Sequence, residues 1–143
     1  MPQRPGQVTA AAVILIVLGV LVSLFGVLAL LAAAVFPTMA DSPEFRDQLG
    51  PMAAAAGPLI LTFGIILLAY GALEVTAGIF VLSGRTWARI VGLIVAVLGI
   101  LFSLVGVLPG QNSAATNVIS LVMLLAYGFV AWILASRGSW FSR

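Results

Sequence analysis

Four long apolar segments constrain the fold of this 143-residue chain more than any other feature. They cover approximately residues 8–36, 57–82, 87–108 and 117–136. A helix needs about 20 residues to cross a hydrocarbon layer of about 30 Å, and each segment reaches that length. None shows the strict alternation of a barrel strand. The sequence therefore predicts a single-domain, all-α membrane protein, and a composition with only 7% charged residues leaves no surface for nucleic acid.

An internal repeat relates these segments in pairs. The sequence VLGVLVSLFGVL at residues 17–28 matches VLGILFSLVGVL at residues 97–108 in nine of twelve positions, and LLAYG occurs at both 67–71 and 124–128. The chain is thus built from a duplicated helix pair. Because helices one and three cross the membrane in one sense and helices two and four in the other, we expect a four-transmembrane-helix bundle of two tandem parallel hairpins. A pseudo-twofold axis along the membrane normal would relate them.

The charged residues predict the orientation of the chain. Five of the six arginines fall on one side of the membrane if the chain crosses it four times: Arg4, Arg85, Arg89, Arg137 and Arg143. The sixth falls on the other side with three of the four acids: Arg46, Asp41, Glu44 and Asp47. By the positive-inside rule, we expect both termini on the cytoplasmic side of a plasma (inner) membrane. The absence of Lys and His, with heavy use of Arg, Ala, Gly and Val, favours a high-GC bacterial origin.

The outer loop at residues 37–56 contains signals for a short helix. Asp41 and Ser42 can cap a helix start, Pro43 suits the first turn, and Gly50 followed by Pro51 can end it. A short helix on the outer membrane surface and an irregular loop are both compatible with this segment. At the other outer connection, Thr116 and Asn117 are expected to cap the fourth helix.

Small residues recur along the predicted helices, every seven residues in helix two and at alternating spacings of four and three in helix three. The packing positions are Gly19, Ser23 and Gly26 in helix one, Gly57, Gly64, Gly71 and Gly78 in helix two, and Gly92, Gly99, Ser103 and Gly106 in helix three. Membrane helices gain little from apolar burial against one another, so close backbone approach has to hold them together. A seven-residue period predicts left-handed packing with a crossing angle of about +20°. Such seams serve either packing within one chain or a homodimer interface.

Glu74 is the only acid in any predicted span. It lies about 12 Å along its helix from the cytoplasmic end and falls on the glycine seam, which places it toward protein and not toward lipid. An ionised carboxylate at such a depth costs about 2.5 to 3.5 kcal/mol, so Glu74 should be protonated, paired or beside water. The candidate partners are Arg89 and Arg85 near the next helix, Tyr70 one turn away, and Tyr127 in helix four. Superposition of the two LLAYG blocks gives Ala131 as the counterpart of Glu74, so this charge breaks the repeat.

Two interpretations of Glu74 remain open. It is either a proton or ion site, since intramembrane carboxylates are functional-site hypotheses, or a polar contact between helices. Without His or Cys, and without spaced metal ligands, no hydrolase, redox or metal template can be assembled, so we expect no enzyme activity, cofactor or metal. The sequence favours a non-enzymatic protein that acts through helix-helix association, by self-association or as an accessory subunit of a larger membrane partner. The alternative is a small proton- or cation-coupled transporter with Glu74 as its carrier site.

Two motifs carry a resemblance to known proteins. A basic stub leads into an Ala-rich first helix (RPGQVTAAAV, residues 4–13), and the turn GRTWARIVGLI enters the third helix (residues 84–94). In these the chain resembles the small four-span membrane proteins of uncharacterised function from high-GC, actinobacterial-type bacteria. That resemblance covers the whole length and implies no activity. The bacterial small multidrug exporters also have four spans and one membrane Glu, but here the Glu lies in helix two, so their function is not transferred.

Overall fold

The computed structural model describes residues 5–107 and 113–141. It contains five α-helices: α1 (Gly6–Ala40), α2 (Pro43–Leu49), α3 (Ala53–Leu82), α4 (Thr86–Val107) and α5 (Ala114–Ser136). Short 3-10 helices follow at Gly50–Met52 and Gly138–Phe141. Four segments are long and apolar enough to cross a membrane, namely α1, α2 with α3, α4 and α5. The predicted all-α, multi-pass membrane fold is confirmed.

Two of the long helices extend further than the apolar pattern predicts, α1 at its C-terminal end and α3 at its N-terminal end. Helix α1 continues past Pro37 to Ala40, and α3 starts at Ala53, five residues before Pro58. Proline removes one backbone donor and normally marks a boundary. Near the end of α1, the Thr38 hydroxyl donates to the Val35 carbonyl at 2.6 Å. In α3, the alanines at residues 53–56 have a strong helix propensity, so the helix begins before Pro58.

Contacts divide the chain into two compact units, residues 19–72 and residues 1–18 with 73–143. The first unit holds the C-terminal part of α1 and the N-terminal part of α3, with α2 between them. The short helix predicted in the loop is present as α2, and Gly50 ends it with a φ of +52°. The Phe45 ring meets the edge of the Phe36 ring at 5.7 Å, and Arg46 donates to Asp41 at 2.9 Å. Ser42 occupies the N-cap position, but its hydroxyl donates to the Met39 carbonyl and accepts no hydrogen bond from an amide of α2.

The second unit contains the start of α1, the end of α3, and α4 and α5. Gln7 at the start of α1 accepts two hydrogen bonds from Arg137, which follows α5, at 3.1 and 2.6 Å. Arg89 in the first turn of α4 also donates to carbonyls at the end of α5. Helices α1 and α4 therefore start at the same end of this unit, and each is followed by a helix of opposite direction. This is the bundle of two tandem parallel hairpins that the repeat predicts.

The tight turn from α3 to α4 fixes that end of the unit, which we call the arginine end (Gln7, Arg85, Arg89 and Arg137). Gly84 adopts a φ of +71°, a left-handed conformation that residues with a side chain rarely adopt, and its amide donates to Val81 at 3.1 Å. The Thr86 hydroxyl donates to the carbonyl of Phe141, whose side chain is buried. The C-terminal 3-10 helix is thereby held against the start of α4.

Candidate functional site

The Glu74 carboxylate lies inside the unit formed by residues 1–18 and 73–143. Its side chain is 0% exposed. The other residues of this helix, α3, are mostly apolar. Within residues 5–107 and 113–141, neither carboxylate oxygen has a hydrogen-bond partner. A buried polar group without a partner is rare in folded proteins because it loses its hydration without replacement. Glu74 is therefore the position where the chemistry of this molecule departs most from simple helix packing.

Tyr127 on α5 is the polar side chain directed toward this carboxylate. Its hydroxyl is near enough to interact with the Glu74 carboxylate. The tyrosine is 2% exposed, and its ring packs on Gly99 of α4. A Cβ atom at Gly99 would come within 2.6 Å of Cδ1, Cδ2 and Cε1 of the ring. The missing side chain at Gly99 thus makes the space that sets the position of the Tyr127 ring.

Ser103 completes this group of residues, which we call the Glu74 site (Glu74, Tyr127, Gly99 and Ser103). The Ser103 hydroxyl donates to the Gly99 carbonyl at 2.8 Å and is buried. That bond leaves the serine donor committed to its own helix. The site therefore contains the carboxyl group of Glu74 from α3 and the phenol hydroxyl of Tyr127 from α5, and the Tyr127 ring occupies the space left by Gly99 on α4.

The arginines proposed as partners of Glu74 are engaged elsewhere. The Arg89 guanidinium donates to the carbonyls of Leu134 and Ala135 at 2.7 and 3.1 Å. It satisfies carbonyls at the end of α5, where a cation is also favoured by the helix dipole. Arg85 lies over the Phe80 ring, 5.2 Å from its centroid. Tyr70 lies one turn before Glu74 on α3 and is half-buried.

The glycine seams lie inside the two helical hairpins. In α1 and α3, a Cβ at Gly71 would meet the Gly19 carbonyl at 2.7 Å, and one at Gly78 would meet the Ala12 carbonyl at 2.9 Å. Gly26, Gly64 and Gly57 face side chains or backbone of the same pair of helices, and Ser23 donates to Gly19. In α4, Gly92 and Gly106 face Leu134 and Ser120 of α5. Of the two uses open to these seams, the structure shows packing within one chain.

Two features were missed by the sequence analysis. The N-cap of α5 is Ser113, whose hydroxyl accepts from the Thr116 amide at 3.3 Å, so the predicted caps Thr116 and Asn117 lie inside the first turn. Serine is a favoured N-cap residue, and this signal was readable. The second feature is the contact of Arg89 with the end of α5, which no local pattern indicates. Among the described residues, no group of three or more His, Cys, Asp or Glu could hold a metal ion.

Comparison with family models matches residues 7–139 to a domain of unknown function, DUF7144. This agrees with the predicted resemblance to an uncharacterised family. No curated protein and no solved structure matches the chain.

Proposed function

Since the chain belongs to the DUF7144 family, which is defined without a function, its role has to be argued from its own residues. We propose that it is a non-enzymatic membrane protein that acts through helix-helix association, by pairing with a second copy along the outward face of α3. The arginine end lies on the cytoplasmic side of a bacterial plasma membrane in this proposal, because arginine-rich ends are retained there.

One observation carries the proposal. Helix α3 has a second row of positions at alternating spacings of three and four, on the side away from its glycine seam. This row, the outer α3 seam, consists of exposed residues, most of them small: Thr62, Ile65, Ala69, Ala72, Thr76 and Ile79. Alternating spacings of three and four are the pattern of left-handed helix pairs. The glycine seam of α3 is already occupied by α1, so the outer α3 seam is the face that remains for another helix.

The composition of the outer α3 seam differs from that of other exposed faces. The outward face of α5 carries large side chains such as Val122, Leu125 and Trp132, which are 60, 66 and 61% exposed. Large apolar side chains suit contact with lipid tails, whereas small ones leave shallow space that a second helix fills better by close approach. In a twofold pair, each seam residue meets the same residue of the second copy. Ala69, near the middle of the seam, is therefore expected near its own equivalent.

Cysteine cross-linking tests this pairing without background, because the chain contains no cysteine. We expect Ala69→Cys to form a disulfide-linked dimer in membranes under mild oxidation, since small residues bring the two backbones together there. Val122→Cys on the outward face of α5 is the matched control and is expected to stay monomeric. Equal cross-linking of both variants, or none at Ala69, would contradict self-association. Cross-linking of Ala69→Cys to a different membrane protein would identify an accessory subunit in place of a homodimer.

A proton- or cation-coupled transporter is the second candidate, favoured by the buried carboxylate of Glu74. For such a carrier, Glu74→Gln should insert normally but lose proton- or sodium-dependent flux in proteoliposomes, because an amide cannot carry the charge. Unchanged flux in the variant, or no flux in the wild type above empty liposomes, would remove this candidate.

A further inference from the structure

The Glu74 carboxylate has no counter-charge within the described residues. Arg85 lies over Phe80, Arg89 binds carbonyls of α5, and Arg137 binds Gln7. The remaining described arginine, Arg46, pairs with Asp41. We propose that Glu74 is a binding site for one small monovalent cation, either a proton or a sodium ion.

The helix segments around Glu74 provide no cationic side chain that could neutralise its carboxylate, so the neutralising charge has to come from a bound cation. The start of α1 (residues 6–18) and the end of α3 beyond Glu74 contain no titratable side chain. Helix α4 has Arg89, whose guanidinium is directed to α5, and α5 has Tyr127 as its one titratable residue. An ionised carboxylate in a low-dielectric interior needs a positive charge beside it, since burial without one is too costly.

The size and ligand set of the site limit the charge of its occupant. Glu74 has no accessible surface, which excludes any occupant larger than a proton or a bare alkali cation. Divalent cations are bound by several carboxylates or imidazoles, and the described residues hold no such cluster. The Tyr127 hydroxyl can donate to an ionised carboxylate, accept from a protonated one, or offer its oxygen to sodium. One acid beside one phenol oxygen therefore matches a single positive charge.

The repeat supports a role for this carboxylate beyond packing. Superposition of the two LLAYG blocks places Ala131 at the position of Glu74, although the two blocks do not turn the same face toward their partner helices. The buried residues that follow Tyr127 on α5 are all apolar, namely Val130, Ile133 and Leu134. A helix of this bundle therefore packs without an acidic side chain. The proposal concerns cation binding at Glu74 only. Its test is therefore independent of whether the protein transports an ion and of whether two copies pair through the outer α3 seam.

Labelling with dicyclohexylcarbodiimide tests the site in the full chain, purified in mild detergent. A protonated carboxyl adds its O–H across a C=N bond of this hydrophobic reagent, and acyl transfer to nitrogen then leaves a stable N-acylurea, with no leaving group. Peptide mapping locates the product. We expect modification at Glu74 in the wild type, and Glu74→Gln is the control that must lose it.

The two cations give different results. If the ligand is a proton, labelling falls roughly tenfold for each pH unit above the midpoint and ignores sodium at fixed pH. If it is sodium, labelling at fixed pH falls about tenfold when sodium reaches about ten times its dissociation constant, and choline has no effect. Either result supports the site. Labelling that responds to neither would overturn it. So would modification of Glu74 by a water-soluble carbodiimide as fast as that of Asp41, Glu44 and Asp47, because a hydrated carboxylate needs no bound cation.

Discussion

Gly71→Ala is expected to lower the free energy of unfolding by about 1 to 3 kcal/mol, the usual range for overpacking a well-packed site. The new Cβ would lie 2.7 Å from the Gly19 carbonyl oxygen and 2.8 Å from the Ser23 amide nitrogen. Both are backbone atoms of α1, which cannot rotate away as a side chain can. The two helices have to separate locally, and they lose the dispersion contacts that hold membrane helices together. The measurement is unfolding of the purified protein in mixed micelles with increasing SDS.

The repeat supplies the matched control. Gly128 is the counterpart of Gly71 in the second LLAYG block, and no atom lies within 4 Å of the position where its Cβ would be. Gly128→Ala is therefore expected to be neutral or to stabilise the protein by up to about 1 kcal/mol, since alanine is the better helix former. Equal destabilisation by both variants would show that the cost comes from helix propensity or insertion, and would contradict close packing of α1 on α3.

The contrast between Gly71 and Gly128 shows which part of the fold is readable from the sequence. Segment length and hydropathy predict the four crossings, and the repeat predicts two hairpins of the same sense, because both depend on properties of single helices. The glycine of the first LLAYG block nevertheless faces a helix, whereas in the second block the glycine faces open space and the tyrosine before it packs on α4. Which face of a helix is covered depends on neighbours far apart in sequence, and no local pattern specifies them.

The Glu74 site was predictable to a similar extent. The glycine seam predicts that the carboxylate lies toward protein, and the side chain is fully buried. Its sequence neighbours did not identify the arginine contacts, because Arg89 reaches the unsatisfied carbonyls of Leu134 and Ala135, 45 and 46 residues away. Free backbone acceptors at a helix end can bind a guanidinium and thereby take it away from a carboxylate. The start of α3 also differed from the expected boundary, because the alanines at residues 53–56 favour helix before Pro58.

Glu74→Leu is expected to raise the free energy of unfolding by about 1 to 3 kcal/mol, the typical cost of a buried polar group without a partner. Leucine has a volume similar to that of glutamate, and the position seven residues earlier on α3 is already a leucine, Leu67. The substitution should therefore fit without a new cavity. The variant should also lose carbodiimide labelling at position 74. A gain in stability together with a loss of the site is the pattern of a residue kept for function at a cost to the fold.

Tyr127→Phe completes a double-mutant cycle with Glu74→Leu. If the Tyr127 hydroxyl mainly serves the carboxylate, its removal changes stability in the wild type and has a different effect once Glu74 is leucine, which gives a coupling energy of about 0.5 kcal/mol or more. A loss of stability in Glu74→Leu, with strong coupling to Tyr127, would instead make the pair a structural tie between α3 and α5. The sign of the single substitution and the size of the coupling together distinguish a binding site from a polar contact, because removal of an unsatisfied carboxylate relieves its desolvation cost, whereas removal of a hydrogen-bonded one also loses that bond.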